Sequence, residues 1–193
     1  MAKVYFTADT HFDHELVAGL RGFGSPDEHD EEIVARWNRT VAPGDEVWHL
    51  GDVGIGRLAR SAPWLAELNG TIHLITGNHD APWPGNRDAY RHQRAWLAHF
   101  ETVQAFARRK IAGQQVLLSH FPFTGDHTGE DRYTRYRLPD AGDTWLLHGH
   151  VHDEWKVAGR QINVGVDVWD LAPVPLAAIE DLVRSAPADG LRE

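Results

Sequence analysis

A chain of 193 residues is long enough for one α/β domain with a sizeable core and too short for more than two small ones. Its 42% apolar content and eight tryptophans exclude a disordered chain, the absence of cysteine excludes disulfides and thiolate metal ligands, and a net charge of −9 argues against broad non-specific nucleic-acid binding. No apolar run approaches membrane-spanning length, and a strand starting at Lys3 leaves no room for a signal peptide, so a cytoplasmic setting is expected.

Lys3 to Ala8 reads as the first strand and ends in Asp9-Thr10-His11. Residues two apart on an extended backbone point the same way, so Asp9 and His11 are expected to grip one ion. Residues 12–24 read as a broken helix or loop ending at Gly22 and Gly24, with His14 read as a surface or outer histidine in preference to one lining the substrate pocket. Ser25 is the expected N-cap of an acidic helix opening at Pro26-Asp27-Glu28 and running to about Thr40, with Ile33, Val34 and Trp37 facing the core. Ala42-Pro43-Gly44 breaks it, and Glu46 to Leu50 is the second strand, ending in Gly51-Asp52. Val53-Gly54-Ile55-Gly56 then leaves the backbone room to turn around a ligand. Leu58, Leu65 and Leu68 predict a second helix closed by Asn69-Gly70. Thr71 to Ile75 is the third strand, leading into Gly77-Asn78-His79-Asp80. Gly77 is expected to permit a sharp exit, so that Asn78 and His79 project from the carboxyl edge of a parallel sheet.

Ala81 to Arg87 is a loop and Ala89 to His99 a helix. From residue 101, Thr102 to Phe106, Gln115 to Leu118 and Trp145 to His148, with a turn at Gly113-Gln114, predict a second, partly antiparallel sheet. Trp155 to Val157 and Gln161 to Val164, around a turn at Gly159, extend it. The segment from Phe121 to Asp143 has almost no apolar period and departs directly from His120. It reads as an active-site loop that brings Arg132, Arg135 or Arg137 to a substrate phosphate, or as a solvated excursion whose charges balance. No linker or repeat interrupts the chain, which reads as a single domain over residues 1–193.

Five segments share one feature: an apolar run broken by Asp or His. Convergence of such strand ends predicts a metal site with nitrogen and oxygen ligands. In order and spacing, Asp9-x-His11, Gly51-Asp52, Gly77-Asn78-His79-Asp80, Ser119-His120 and Gly149-His150-Val151-His152 resemble the calcineurin-like metallophosphoesterases over most of the chain. Thr7-x-Asp9-Thr10-His11-Phe12, His49-Leu50-Gly51-Asp52 and Asn163-Val164-Gly165-Val166-Asp167 look like a small bacterial and phage branch of predicted phosphoesterases.

The resemblance implies a four-layer α/β/β/α sandwich with two facing mixed sheets and two divalent ions at the carboxyl edge. It implies that Asp9, His11 and His152 hold the first ion, that Asn78, His120 and His150 hold the second, and that Asp52 bridges both. Oxygen and imidazole ligands without thiolate favour manganese, with iron, zinc or nickel as alternatives. A hydroxide bridging the ions would attack phosphorus in line. His79, oriented by Asp80, would protonate the leaving oxygen or stabilise the developing charge. The implied substrate is a small phosphomonoester or phosphodiester. A nuclease or nucleic-acid end-processing phosphatase is the alternative, because the arginine-rich loop could support it. A non-catalytic interaction scaffold, such as a retromer subunit of similar fold, would be expected to have lost ligands, and all seven are present here. The acidic residue and arginine that follow Gly-Asp in protein Ser/Thr phosphatases are absent after Asp52, so protein phosphatase activity is not expected.

Overall fold

The computed structural model describes residues 2–55 and 58–185, so Gly56 lies outside the described residues. Strand β1 (Val4–Thr7) is followed by helices α1 (Glu15–Leu20) and α2 (Pro26–Thr40), then β2 (Glu46–His49), α3 (Leu58–Glu67), β3 (Thr71–Ile75) and α4 (Ala89–Trp96). Strands β4 (Thr102–Gln104), β5 (Ala107–Ile111), β6 (Gln114–Leu118) and β7 (Trp145–His148) come next. The chain continues through β8 (Val157–Ala158), β9 (Gln161–Asn163), β10 (Val174–Pro175) and α5 (Leu176–Ser185). None of the helices among the described residues is long and apolar enough to cross a membrane.

Two five-stranded sheets result, ordered β10-β1-β2-β3-β4 and β5-β6-β7-β9-β8. In the first, β1 to β4 are parallel and β10 runs antiparallel to β1. In the second, β6, β7 and β9 are parallel, with β5 and β8 antiparallel at the two edges. The period of two along each strand feeds two cores. Phe6, Trp48 and Ile75 point between the sheets, where they meet Val116, Leu118, Leu147 and Ile162. Tyr5, Val47, Ile72 and Leu74 point outward onto Ile33, Val34 and Trp37 of α2, Leu65 of α3 and Trp96 of α4. Ile179 and Val183 bring α5 into the inter-sheet core. Each fully buried side chain of this size contributes about 1.5–3 kcal/mol, so the facing sheets are a stiff base for the loops at their edge.

Helix α2 begins as its sequence predicts: Ser25 Oγ accepts from Glu28 N at 3.1 Å, Pro26 follows, and Glu28 reaches back to Gly24 N at 2.9 Å. Three elements differ from expectation. Thr102–Gln104 pairs in parallel with β3 and belongs to the first sheet, not the second. Ala107–Ile111, with Arg108, Arg109 and Lys110, forms a strand of its own, joined to β6 by Ala112 and Gly113 at φ 49° and 84°. Two left-handed residues match the twist of a tight hairpin, which places the turn one residue earlier than Gly113-Gln114. Strand β10 and helix α5 lie beyond the last strand that the sequence reading identified.

Candidate metal centre

The loops leaving β1, β2, β3, β6 and β7 meet at the carboxyl edge of both sheets. Backbone bonds lock them together: Asp9 N donates to Gly51 O at 2.9 Å, His11 N to Asp52 O at 3.1 Å, and Gly149 N to His120 O at 3.0 Å. Val166 N donates to Ala8 O at 3.1 Å, fastening the end of β9 to β1. The Asp9-Thr10-His11 turn is not extended. Asp9 and His11 are left-handed at φ 58° and 52°, as are Asp52, His150 and His152 at 56°, 73° and 50°. Each such non-glycine residue costs about 1–2 kcal/mol, held here by the surrounding hydrogen bonds.

The motif glycines provide space. A side chain at Gly77 would overlap Asp52 Oδ1, and one at Gly149 would overlap Asp9 Oδ2. Gly77 is absent from the left-handed residues, so close approach, rather than the sharp exit expected, explains it. Gly51 meets both demands, with φ 93° and the backbone of Gly77 against it.

Ligand atoms of Asp9, His11 and His152 lie within 4.8 Å of one another, and so do those of Asp9, Asp52 and His120. His11 is 2% exposed and neither ring nitrogen has a hydrogen-bond partner. Its Nε2 stands 4.0 Å from Asp9 Oδ1 and from Asp52 Oδ2, too far for a hydrogen bond. Burial pushes the His11 ring well below its ordinary value, which keeps the lone pair of one ring nitrogen available. A neutral, unpartnered imidazole between two buried carboxylates fits a divalent cation, as does a donor set of nitrogen and oxygen only.

Burial and neighbouring imidazoles act in opposite directions on the two carboxylates. Burial pushes Asp9 up to about 6, while His120 and His152 pull the other way. Burial opposes charge on Asp52 as well, but His120, followed by His11 and His79, holds it below the usual carboxylate range. His120 is correspondingly raised to about 9, the Asp52 charge outweighing its burial. Its Nδ1 donates to Leu50 O at 2.8 Å, which turns Nε2 toward Asp52 Oδ2 at 3.4 Å and Asn78 Oδ1 at 3.2 Å.

The structure gathers Asp9, His11, Asp52, Asn78, His120 and His152 at this edge, with two differences from the implied scheme. Asp9 belongs to both of these ligand clusters, whereas Asp52 belongs to one and approaches the other through its 4.0 Å separation from His11. His150 groups with Asp126 and His127 instead, its Nε2 lying 3.0 Å from Asp126 Oδ2, while its backbone N–H donates to Asp9 Oδ2 at 3.0 Å. His79 is also at the edge, with its N–H donating to Asp52 Oδ1 at 2.9 Å and its Nε2 3.9 Å from Asp52 Oδ2.

Among the described residues no hydrogen bond or ion pair joins the Asp80 carboxylate to the His79 ring. Asp80 accepts from Gly77 N at 2.8 Å and from Asp52 N and Val53 N at 3.0 Å each, stapling the β2 and β3 loops together. Burial and the Asp52 charge push its carboxyl up to about 7. The loop arginines divide. Arg132 lines the cleft over the centre, whereas Arg137 is 4% exposed and donates to Arg132 O and Gly125 O inside the loop. Arg135 is exposed and does not line the cleft.

Several residues of the site lie outside the five strand-end motifs. Arg21 donates to Asp167 Oδ1 and Oδ2 at 2.7 Å each, to Asp9 O at 2.7 Å, to Thr10 O at 3.2 Å and to His29 Nε2 at 2.9 Å, using every donor of its guanidinium. Asp167 in turn lies 3.2 Å from His152 Nδ1. Asn163 donates to His152 O at 2.7 Å and fixes the same loop from below. His14 and His127 line the cleft, which has a volume of about 440 Å³.

The calcineurin-like phosphoesterase superfamily domain matches residues 3–166. The Gene 66 protein of Mycobacterium phage D29 is 40% identical over 197 residues, covering 95% of this chain and 97% of that protein. The Gene 66 protein of Mycobacterium phage L5 is 39% identical over 184 residues, covering 88% of each. A solved protein of unknown function from Aquifex aeolicus superposes with a TM-score of 0.71 at 25% identity, covering 94% of this chain and 100% of that one. Unpartnered His11 between two buried carboxylates supplies the chemistry to match: the chain belongs to the calcineurin-like phosphoesterase superfamily and is a metal-dependent phosphoester hydrolase.

Proposed function

We propose that the protein hydrolyses a small phosphomonoester or phosphodiester, using two divalent ions, manganese first among them. Asp9, His11 and His152 would hold one ion and Asn78, His120 and His150 the other, with Asp52 and Asp9 between them. The observation that carries this reading is His11, a buried imidazole with no hydrogen-bond partner on either nitrogen. When bound, such ions polarise a phosphoryl oxygen and lower the pKa of water.

The chain's own residues do the rest. His79, partly exposed over Asp52, delivers a proton from its ring to the leaving oxygen. Asp80 keeps the two loops under His79 and Asp52 in register through its three N–H partners. Arg132 commits Nε and Nη2 to Asp126, leaving Nη1 to turn toward a non-reacting phosphoryl oxygen. Residues 1–193 act as one domain in this reading, with 121–143 its active-site loop, in a cytoplasmic setting.

The test is a hydrolysis panel of an aryl phosphate, an aryl phosphodiester and nicked or single-stranded DNA, each with and without chelator. Hydrolysis of either aryl ester that chelator abolishes and manganese restores is the expected outcome. Cleavage of DNA with no aryl ester hydrolysis would shift the reading to a nuclease, and no hydrolysis of any member would overturn it.

A further inference from the structure

Helix α1 is only six residues long, and Val17 and Ala18 alone anchor it in the interior. Its other two large apolar residues, Leu16 and Leu20, are 67% and 78% exposed and join neither core. Four residues apart, they stand on one side of the helix. Both line the cleft that also contains His11, Asp52, Asn78 and His79. A pair of uncovered leucines continuous with a reaction centre is a surface waiting for an apolar group.

The charges around the same cleft narrow what that group can be. The arginines on its wall, Arg21 and Arg132, are paired with Asp167 and Asp126 respectively, and of their donors only Arg132 Nη1 is left over. Asp153 and Glu154, also on the wall, are exposed and form no ion pair among the described residues. Once Arg132 Nη1 is turned toward the reacting phosphate, neither arginine of the cleft has a donor left for a second anion, which Asp153 and Glu154 would repel. Tyr133 adds a flat aromatic wall, packed edge-on against His150 at 5.6 Å between ring centroids.

We infer that Leu16 and Leu20 form the subsite for the organic half of the substrate, and that this half is an uncharged alkyl or aryl group carrying no second phosphate. The inference rests on the phosphoesterase reading above and deepens it. It sets the protein apart from enzymes acting on sugar bisphosphates, nucleoside polyphosphates or nucleic-acid strands, all of which would carry further anions past Asp153 and Glu154.

The experiment is calorimetric binding of alkylphosphonates to the manganese-loaded protein, from methyl to hexyl, beside a hexyl analogue ending in a carboxylate. Affinity is expected to rise about twofold for each methylene half-buried on the exposed leucines, so that hexylphosphonate, five methylenes longer, binds roughly 30-fold more tightly than methylphosphonate. The carboxylate-ended analogue is expected to lose that gain. In L16S/L20S the hexyl-to-methyl ratio should collapse toward one, and because both leucines are exposed the variant should fold, as a thermal melt would verify. In D153N/E154Q the penalty on the carboxylate-ended analogue should shrink.

A flat series in the wild type, a ratio that survives in L16S/L20S, or a preference for the doubly charged analogue would each overturn the inference. A flat series in a protein that still hydrolyses aryl phosphates would overturn this inference alone. Failure of every phosphonate to bind, with no hydrolysis, would overturn the phosphoesterase reading with it.

Discussion

Asp126, carried by the long loop, places Oδ2 3.0 Å from His150 Nε2 while Arg132 and Arg137 close on the same carboxylate. Burial alone would raise this carboxyl, but Arg132, with His150, holds it below the usual range. The loop is thereby fastened through one charged side chain to His150, one of the ion ligands proposed above. Asp126→Asn should release it, exposing the 121–143 segment to limited proteolysis. Activity should fall about 10- to 100-fold, the range seen when a partner that orients a metal-site histidine is removed. Unchanged proteolysis and unchanged kcat/KM would show that the loop is held by other contacts.

A second expectation concerns pH. Gly51 N–H donates to His49 Nδ1 at 3.2 Å, so the His49 proton sits on Nε2 and donates to Thr10 Oγ1 at 2.9 Å, whose own proton goes to Val53 O at 2.9 Å. Burial lowers His49 to about 3, so the folded protein keeps it neutral. Below its ordinary value of 6.5 the unfolded chain takes up a proton that the folded chain refuses. Stability from His49 is thus fully present above 6.5 and lost as pH falls toward 3, by up to about 1.4 kcal/mol per pH unit. Denaturation of wild type and His49→Gln between pH 6.5 and 4 checks this, since the other titrating groups are common to both. The variant should show the shallower loss, and parallel slopes would refute the account.

Two glycine substitutions separate space from backbone strain. Gly149→Ala would drive a methyl into Asp9 Oδ2, and it should destabilise by about 1–3 kcal/mol and lower metal content. Gly113→Ala, in the β5–β6 hairpin, meets nothing within 4 Å and suffers only from φ of +84°, so it should cost about 1 kcal/mol and leave activity intact. Metal content and melting temperature of the two variants, read side by side, are decisive. Normal metal content in Gly149→Ala would mean that Asp9 can shift.

Much of this architecture was legible because apolar strands end abruptly in polar ligands. The runs before Asp9, Asp52 and Asn78 are strands β1, β2 and β3 in the structure, and Ser25 caps α2 as read. Strand β5 escaped notice because Arg108, Arg109 and Lys110 give an edge strand the look of a charged loop. Asp126 and Asp167 are not legible as site residues, being 24 and 15 residues from the histidines they touch; Asp126 lies in a segment without a motif, and the Asn163–Asp167 motif says nothing of His152. The left-handed backbone at Asp9 and His11 was equally hidden, since neither residue is glycine. Helix α5 did carry a signal, with Ile179 and Val183 four apart.

His79 offers a test that separates proton transfer from metal binding. Its side chain is 40% exposed and its Nε2 stands 3.9 Å from Asp52. His79→Ala should keep its metal and slow esters with poor leaving groups about 10²–10⁴-fold, with a smaller effect on nitrophenyl esters. Equal slowing of both would assign His79 to charge stabilisation. Loss of an ion would make it a ligand.

The most direct measurement is the number of divalent ions bound per chain, counted by elemental analysis and calorimetric titration of chelator-stripped protein. Wild type should take up two manganese ions and gain thermal stability as it does so, because a ligand of the folded state stabilises it by mass action. Asp52→Asn should lose occupancy at both positions, since Asp52 Oδ2 faces His11 and His120 at 4.0 and 3.4 Å. Aryl phosphate hydrolysis should rise in proportion to occupancy. A chain that binds no ion and hydrolyses the ester at the same rate in chelator would contradict the account outright.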